Sequence, residues 1–292
     1  MLLRTLVFVG AVGLMLAAPA SSRAQNSPDW TEPFPPFRIA DNLYFVGSRG
    51  LGNYLVTTPQ GHVLINTGLV ANVELTRRSV EALGFKWSDV RILLISHAHW
   101  DHAAGTALAK EQTGAQVHVM RGDADVVESG GRSDWFYGRI PATWFPPVKV
   151  DRVLEDGDTV RLGGAVLTAR LTPGHTRGCT TWTLEVTDAG RRYAAVIVGS
   201  PNVNDGYPLV NNGAYPRIAD DFERTFRVLR ALPCDLFLGA HGNYFDLETK
   251  RARLAEGRSN PFVDPKGYQA YLDDRERAFR TERERQAATQ RE

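Results

Sequence analysis

Ser96-His97-Ala98-His99-Trp100-Asp101-His102 places three imidazoles and a carboxylate within six consecutive positions, 97 to 102. Ile92 to Ile95, just before it, is a short apolar run that reads as a buried strand. Ala103 to Gln112, just after it, reads as a helix closed by Gly114. The histidines therefore sit at a strand-to-helix turn. Alternate side chains on extended chain point the same way, so His97 and His99 share a direction, while entry into the helix redirects Asp101 and His102 to an adjacent point. One segment can thus begin two metal sites. Neutral imidazole nitrogens and carboxylate oxygens bind zinc at ~2.0–2.2 Å, and this donor set suits zinc better than calcium or magnesium.

Outward from this segment, Leu43–Val46, Tyr54–Thr57 and Val63–Ile65 are β-rich runs separated by turn residues, followed by a helical stretch from about Asn72 to Leu83. Further strands are expected around Val117, Val153 and Val160, and over Val166–Leu171, Thr180–Val186 and Tyr193–Val198. In Asp221–Leu232 the spacing of Phe222, Phe226 and Leu229 is that of a buried helical stripe. Asp264-Pro265 starts another helix, with Asp as cap and Pro in its first position. Strands flanked by helices in both halves predict two sheets packed together and covered by helices, a layered α/β plan. Residues 120–150, with Gly130-Gly131, Trp135, Trp144 and Pro146-Pro147, read as a long surface excursion of the kind that borders active sites. Residues 273–292 are almost continuously charged and read as a solvated helix or frayed tail rather than a binding surface.

Two more histidines follow predicted strands at glycine-flanked turns: His175 in Thr172-Pro173-Gly174-His175-Thr176 and His241 in Gly239-Ala240-His241-Gly242. Glycine lets the backbone turn tightly there and leaves an imidazole accessible at a strand end. His62 and His118 lie inside strand patterns and read as packed residues, not ligands. Lys+Arg 34 against Asp+Glu 33 gives a net charge of +1, without the basic stripe a nucleic-acid binder needs, so the expected partner is a small molecule. Arg4, the apolar run Leu6–Ala18 and the small residues around Ser22-Arg23-Ala24 predict a signal peptide over 1–24 and a periplasmic or secreted protein. The run is shorter than the ~20 apolar residues that span a bilayer, so no membrane anchor is expected after cleavage. The remaining chain, 25–292, is expected to be one domain and a monomer. Cys179 and Cys234, the two cysteines, are expected to be free thiols.

His97-x-His99-x-Asp101-His102 together with His175 and His241 resembles the metallo-β-lactamase superfamily. The resemblance implies a four-layer αβ/βα sandwich with two zinc ions at the sheet edges: His97, His99 and His175 on one, Asp101, His102 and His241 on the other. It covers roughly Phe37 to Leu272. Many relatives, glyoxalase-type thioesterases and lactonases among them, carry a metal-bridging aspartate at a strand end between the last two histidines. Here Ala195-Val196-Ile197-Val198-Gly199 ends in Ser200. No cysteine ligand is present in that region, and His102 directly after Asp101 is the pattern of β-lactamase subclass B3. Two departures stand out. Asn66-Thr67-Gly68 occupies the place of an aspartate beneath the metals in many members, so ligand orientation is expected to differ. Family members often pair the equivalent of Cys234 with a cysteine in the C-terminal helix, which here reads Lys266-Gly267-Tyr268-Gln269, so Cys234 is expected to stay unpaired.

The implied activity is hydrolysis of the β-lactam ring of penicillins, cephalosporins and carbapenems, and hence antibiotic resistance. Two zinc ions that share a water lower its pKa to near ~7, so hydroxide forms at neutral pH without a serine nucleophile. Asp101 is expected to orient it, with Ser200 and Asn202 as candidates for the substrate carboxylate or oxyanion. No Ser-x-x-Lys, Lys-Thr-Gly or Gly-x-Ser-x-Gly occurs, which closes the serine-enzyme route. A lactonase or other ester hydrolase is the enzymatic alternative, since metals alone do not choose a substrate. An exported zinc-binding protein without catalysis is the third, although structural zinc sites are usually closed four-coordinate cages.

Overall fold

Runs rich in Val, Leu and Ile build a first sheet in chain order: β1 (Phe37–Ala40), β2 (Leu43–Phe45), β3 (Tyr54–Thr58), β4 (Gly61–Ile65), β5 (Val90–Leu94), β6 (Gln116–Met120) and β7 (Arg152–Leu154). The first four pair antiparallel, and β4 to β7 pair parallel. Parallel neighbours need crossovers. These are α1 (Asn72–Ala82), then α2 (Trp100–Ala103) with α3 (Thr106–Thr113), then α4 (Arg121–Glu128). The second sheet contains β8 (Thr159–Leu162), β9 (Ala165–Leu171), β10 (Thr180–Asp188), β11 (Arg191–Val198) and β12 (Leu236–Gly239), in spatial order β12-β11-β10-β9-β8. Only β11 and β12 are parallel, joined through α5 (Ile218–Ala231); α6 (Leu247–Ala255) and α7 (Pro265–Thr289) complete the chain. The computed structural model describes residues 26–257 and 259–289, so the leader expected over 1–24 lies outside the described residues.

Alternation along the strands decides the layers. On β4, Val63 and Ile65 face the second sheet and join Leu167, Ala169, Trp182 and Ile197 in the central core. Leu64 faces the other way and packs with Val73, Val80 and Val117 beneath the helices of the first half. A third cluster, Phe222, Phe226 and Phe279, seals α5 against α7. Each fully buried Val, Leu, Ile or Phe among these contributes on the order of 1.5–3 kcal/mol, so the two sheets are locked face to face, with helices outside. The four-layer αβ/βα arrangement is the one expected. Both sheets also meet through polar bridges at one end: Tyr54 Oη donates to Gly239 O at 2.7 Å, and Trp182 Nε1 donates to Ile95 O at 3.1 Å. No helix among the described residues is long and apolar enough to cross a membrane.

One stretch differs from expectation. The excursion read over 120–150 begins with a regular helix, α4, whose Asp123, Ala124, Val126 and Val127 are buried, and only then becomes irregular, with short 3₁₀ turns at Tyr137–Arg139 and Pro141–Thr143. Glycine and proline further along obscured that short amphipathic pattern. The charged stretch beyond 273 takes the helical of the two expected forms: it continues α7 to Thr289, whose inner face buries Tyr268 and Leu272 before it and Phe279 within it. Asp264 caps this helix as predicted, its Oδ1 accepting from Gly267 N at 2.8 Å. Cys179 is buried, Cys234 is partly buried, and both are free, as expected.

Candidate metal centre

The site forms where strand ends from both sheets meet. Asn66, at the end of β4, adopts a left-handed conformation (φ 63°), which Asn tolerates better than most residues. Its Oδ1 accepts from Ser96 N at 2.8 Å and its Nδ2 donates to Gly52 O at 3.0 Å, fixing the start of the histidine segment. Asn66 thus orients the start of the histidine segment with both ends of its own amide. Thr180 N, at the start of β10, donates to Ser96 O at 2.7 Å and ties the same point to the second sheet. Asp123, buried on α4, performs the largest share of this work. Its Oδ2 accepts from Ala98 N and Thr176 Oγ1, both at 2.8 Å, and its Oδ1 from Gly178 N at 2.7 Å. One carboxylate so holds the loops of His97, His99 and His175 in register. Burial pushes its pKa up to about 6, against the pull of these hydrogen bonds.

All six predicted ligands converge. The ring centroids of His97, His99 and His175 lie 4.5 to 4.9 Å apart. Asp101 Oδ2 is 3.2 Å from His102 Nε2 and 3.5 Å from His241 Nε2, and the two Nε2 atoms are 3.0 Å apart. His97 lies between the groups, its ring 4.3 Å from that of His102. Donor atoms of His97, His99 and His175, and of His97, Asp101 and His102, each fall within 4.8 Å of one another. His62 and His118 lie outside both clusters: His62 packs on Phe85, and His118 Nε2 meets Gln116 Oε1 at 3.1 Å.

Tautomers follow from the surroundings. Asn202 O can only accept, so His175 donates to it through Nδ1–H at 2.8 Å and keeps the Nε2 lone pair free. Tyr207 Oη gives its proton to His175 O at 3.1 Å; it can then accept from His99 Nε2–H, 3.4 Å away, which leaves the His99 Nδ1 lone pair free. His97 Nε2 is buried without any hydrogen-bond partner, an expensive state for a polar atom unless a cation meets it. Burial, followed by repulsion from neighbouring rings, drives the pKa of His97 well below the usual histidine value. Burial takes that of His99 down to about 4 and that of His175 to about 3. All three rings are neutral at pH 7, as metal ligands must be. Burial alone would raise the pKa of Asp101, but His102, His241 and His99 outweigh it and keep the carboxylate ionised. Packed neutral imidazoles, an anionic carboxylate and an orphaned ring nitrogen fit a divalent cation.

The family model described as the metallo-beta-lactamase superfamily matches residues 53–189. FEZ-1, a metallo-β-lactamase from Legionella gormanii, is 53% identical with a TM-score of 0.87, the similarity covering 88% of this chain and 98% of that one. BJP-1, a subclass B3 metallo-β-lactamase of Bradyrhizobium japonicum, is 35% identical with a TM-score of 0.84, covering 90% and 98%. Among curated relatives, a hydroxyacylglutathione hydrolase of Hyphomonas neptunium is 37% identical over 83 residues, 28% of this chain. The chain spans 40% and 25% of the length of the first two curated relatives it matches. The chain belongs to the metallo-β-lactamase superfamily. These close structural neighbours are hydrolytic enzymes, which makes this protein one too, and its fold with the His/Asp clusters implies a divalent metal.

A metallo-β-lactamase site needs room for substrate above the ligands, and a cavity of about 640 Å³ opens there. One wall is aromatic: Trp30 stands 6.0 Å from His241 and 6.2 Å from Trp100, and Tyr137 lies 5.1 Å from Trp100 and 4.9 Å from His99. The opposite wall is polar, with Asn202, Asn204, Tyr244 and Arg275. Of the two candidates for the substrate carboxylate or oxyanion, Asn202 lines this cavity. Ser200 is buried behind it, its hydroxyl 3.1 Å from Tyr244 Oη. Sequence reading did not single out Trp30, Asp123, Tyr137, Tyr207, Tyr244 or Arg275. The aromatic run Trp135-Phe136-Tyr137 was the available signal; Asp123 shares its short helix with Asp125 and Glu128 and does not stand out, and Arg275 was hidden in a charged helix face.

Proposed function

We propose that the protein is a di-zinc β-lactam hydrolase of the B3 type. His97, His99 and His175 would hold one ion and Asp101, His102 and His241 the other. When bound, the ions supply an acidified water and a Lewis acid for the carbonyl. Asp101, ionised and wedged between His102 and His241, orients the attacking water and keeps a proton acceptor beside it. Trp30, Trp100 and Tyr137 pack against the apolar body of the substrate and exclude bulk water. Asn202 stays rigid because its backbone oxygen accepts a hydrogen bond from His175 Nδ1–H while its Nδ2 donates to Tyr244 Oη at 2.6 Å.

The observation that carries this reading is the end of β11. A thioesterase-type site would place a bridging carboxylate there, and Ser200 instead turns away toward Tyr244. The match to a hydroxyacylglutathione hydrolase supports thioester hydrolysis as the second reading. Export to the periplasm, monomeric state and action on penicillins, cephalosporins and carbapenems, hence a role in resistance, belong to the same proposal. The test compares nitrocefin, a homoserine lactone and S-lactoylglutathione on zinc-loaded protein, with and without chelator. Nitrocefin turnover that is lost on chelation and restored by zinc is expected. Turnover of the lactone or thioester without nitrocefin would overturn the proposal.

A further inference from the structure

The cavity over the metal ligands is electrostatically one-sided. Asp29, Asp101 and Asp205 line it, and Arg275 is the single fixed cation among its described lining residues. Arg275 comes from α7, far along the chain from every ligand, and its side chain is 35% exposed, so it is reachable without being free to wander. Its guanidinium is held in one orientation. Nε donates to Asp274 Oδ2 at 3.1 Å, Nη2 contacts the same carboxylate oxygen, and Nη1 donates to Asn202 Oδ1 at 3.3 Å. A guanidinium has five N–H donors, so these contacts leave N–H groups on Nη1 and Nη2 uncommitted among the described residues. Asn202 is itself oriented from two sides, with Nδ2 on Tyr244 Oη and backbone O on His175 Nδ1, which fixes Oδ1 toward Arg275. The cation is thereby registered to the metal ligands through a single intermediate residue.

We propose that Arg275 is the specificity-determining cation of this site, selecting substrates that carry a carboxylate next to the ring to be opened. The inference rests on the β-lactam reading above and adds the group that recognises the substrate's charge. Arginine suits the task because its planar fork matches a carboxylate and remains charged at every relevant pH. Ser200 is buried and unavailable for it. Asp274 sets the strength of the effect: it neutralises part of the guanidinium charge, so the site favours an anion moderately.

The test uses cobalt(II)-loaded protein and two probes, a mercaptoacyl-proline and the same compound as its carboxamide. The thiolate reports metal binding in the visible spectrum, so both dissociation constants are read without turnover. In the wild type the carboxylate is expected to bind about tenfold tighter than the amide, the scale of one charge-assisted contact. Arg275→Gln should reduce that ratio to about two, and Arg275→Lys should keep part of it. Asp274→Asn, which frees the guanidinium, should raise it by about threefold, and it tests the sign even if Arg275→Gln does not fold. A ratio near one in the wild type, an unchanged ratio in folded Arg275→Gln, or a lower ratio in Asp274→Asn would overturn the proposal. Absence of nitrocefin turnover overturns the β-lactamase reading alone, because the binding ratio is still measurable.

Discussion

Replacing Asp123 by Asn should separate metal affinity from fold stability. The carboxylate receives three buried donors, Ala98 N and Thr176 Oγ1 on Oδ2 and Gly178 N on Oδ1. Asn keeps one oxygen. If that oxygen serves Ala98 and Thr176, the new amide nitrogen faces the Gly178 N–H, and one buried donor is orphaned at a cost of ~1–3 kcal/mol. Loss of the negative charge acts in the opposite direction. A pKa displaced from 3.8 to about 6 by burial means that keeping the carboxylate ionised at pH 7 costs on the order of 3 kcal/mol. The two contributions offset, so Asp123→Asn should melt within a few degrees of the wild type. Positioning is a different matter, because the repelled Gly178 N–H lies three residues from His175, on the same short turn. Outer residues that orient ligands are typically worth 10–100-fold in metal affinity, and a loss of that size is expected here. Competition with a chromophoric chelator measures the affinity, and melting of the chelated protein measures the fold. Asp123→Ala, which orphans all three donors, should lower both. Wild-type zinc affinity in Asp123→Asn would refute the reasoning and reduce Asp123 to a packing residue.

Other perturbations follow from the same geometry. His241→Ala should bind one metal fewer per chain than the wild type while melting almost unchanged after chelation, since His241 sits at the cavity rim; metal analysis of dialysed protein checks the count. In metal-free protein His99 and His175 titrate near 4 and 3 against an ordinary 6.5 when unfolded. Between these values the unfolded chain holds more protons, so stability present above pH 6.5 is lost as pH falls toward 4; a flat melting profile across that range would contradict it. Gly174 has φ +123°, and a Cβ there would lie 2.7 Å from Phe222 Cγ, so Gly174→Ala should destabilise by about 1–3 kcal/mol and weaken metal binding through His175. Phe279→Ala empties the cluster between α5 and α7, at a cost of about 3–5 kcal/mol in a urea melt.

What the sequence made legible, and what it hid, divides along a physical line. The ligands were readable because metal chemistry admits few residue types and because local backbone geometry imposes their spacing: His97 and His99 alternate on extended chain, and His175 and His241 each follow a strand at a glycine turn. The two sheets were readable for the same local reason, since period-two burial survives in strands such as β4. Asp123, Tyr207 and Arg275 lacked such a signature. Each acts across the fold, with partners 25 to 108 residues distant, and its own neighbourhood in sequence is ordinary: a short helix, a turn, a charged helix face. Arg275 shows the limit most clearly. Residues 273 onward scan as a solvated run because nearly every side chain there is charged, and most indeed pair with one another along the helix surface. The burial of Tyr268, Leu272 and Phe279, the last against Phe222 and Phe226, fixes the rotation of α7, and that rotation, with the helix's approach to the strand ends, delivers Arg275 to Asn202. Metal chemistry is therefore written into short segments of this chain, whereas substrate selection depends on helix packing, and substitutions at Phe279 should alter anion preference without touching a ligand.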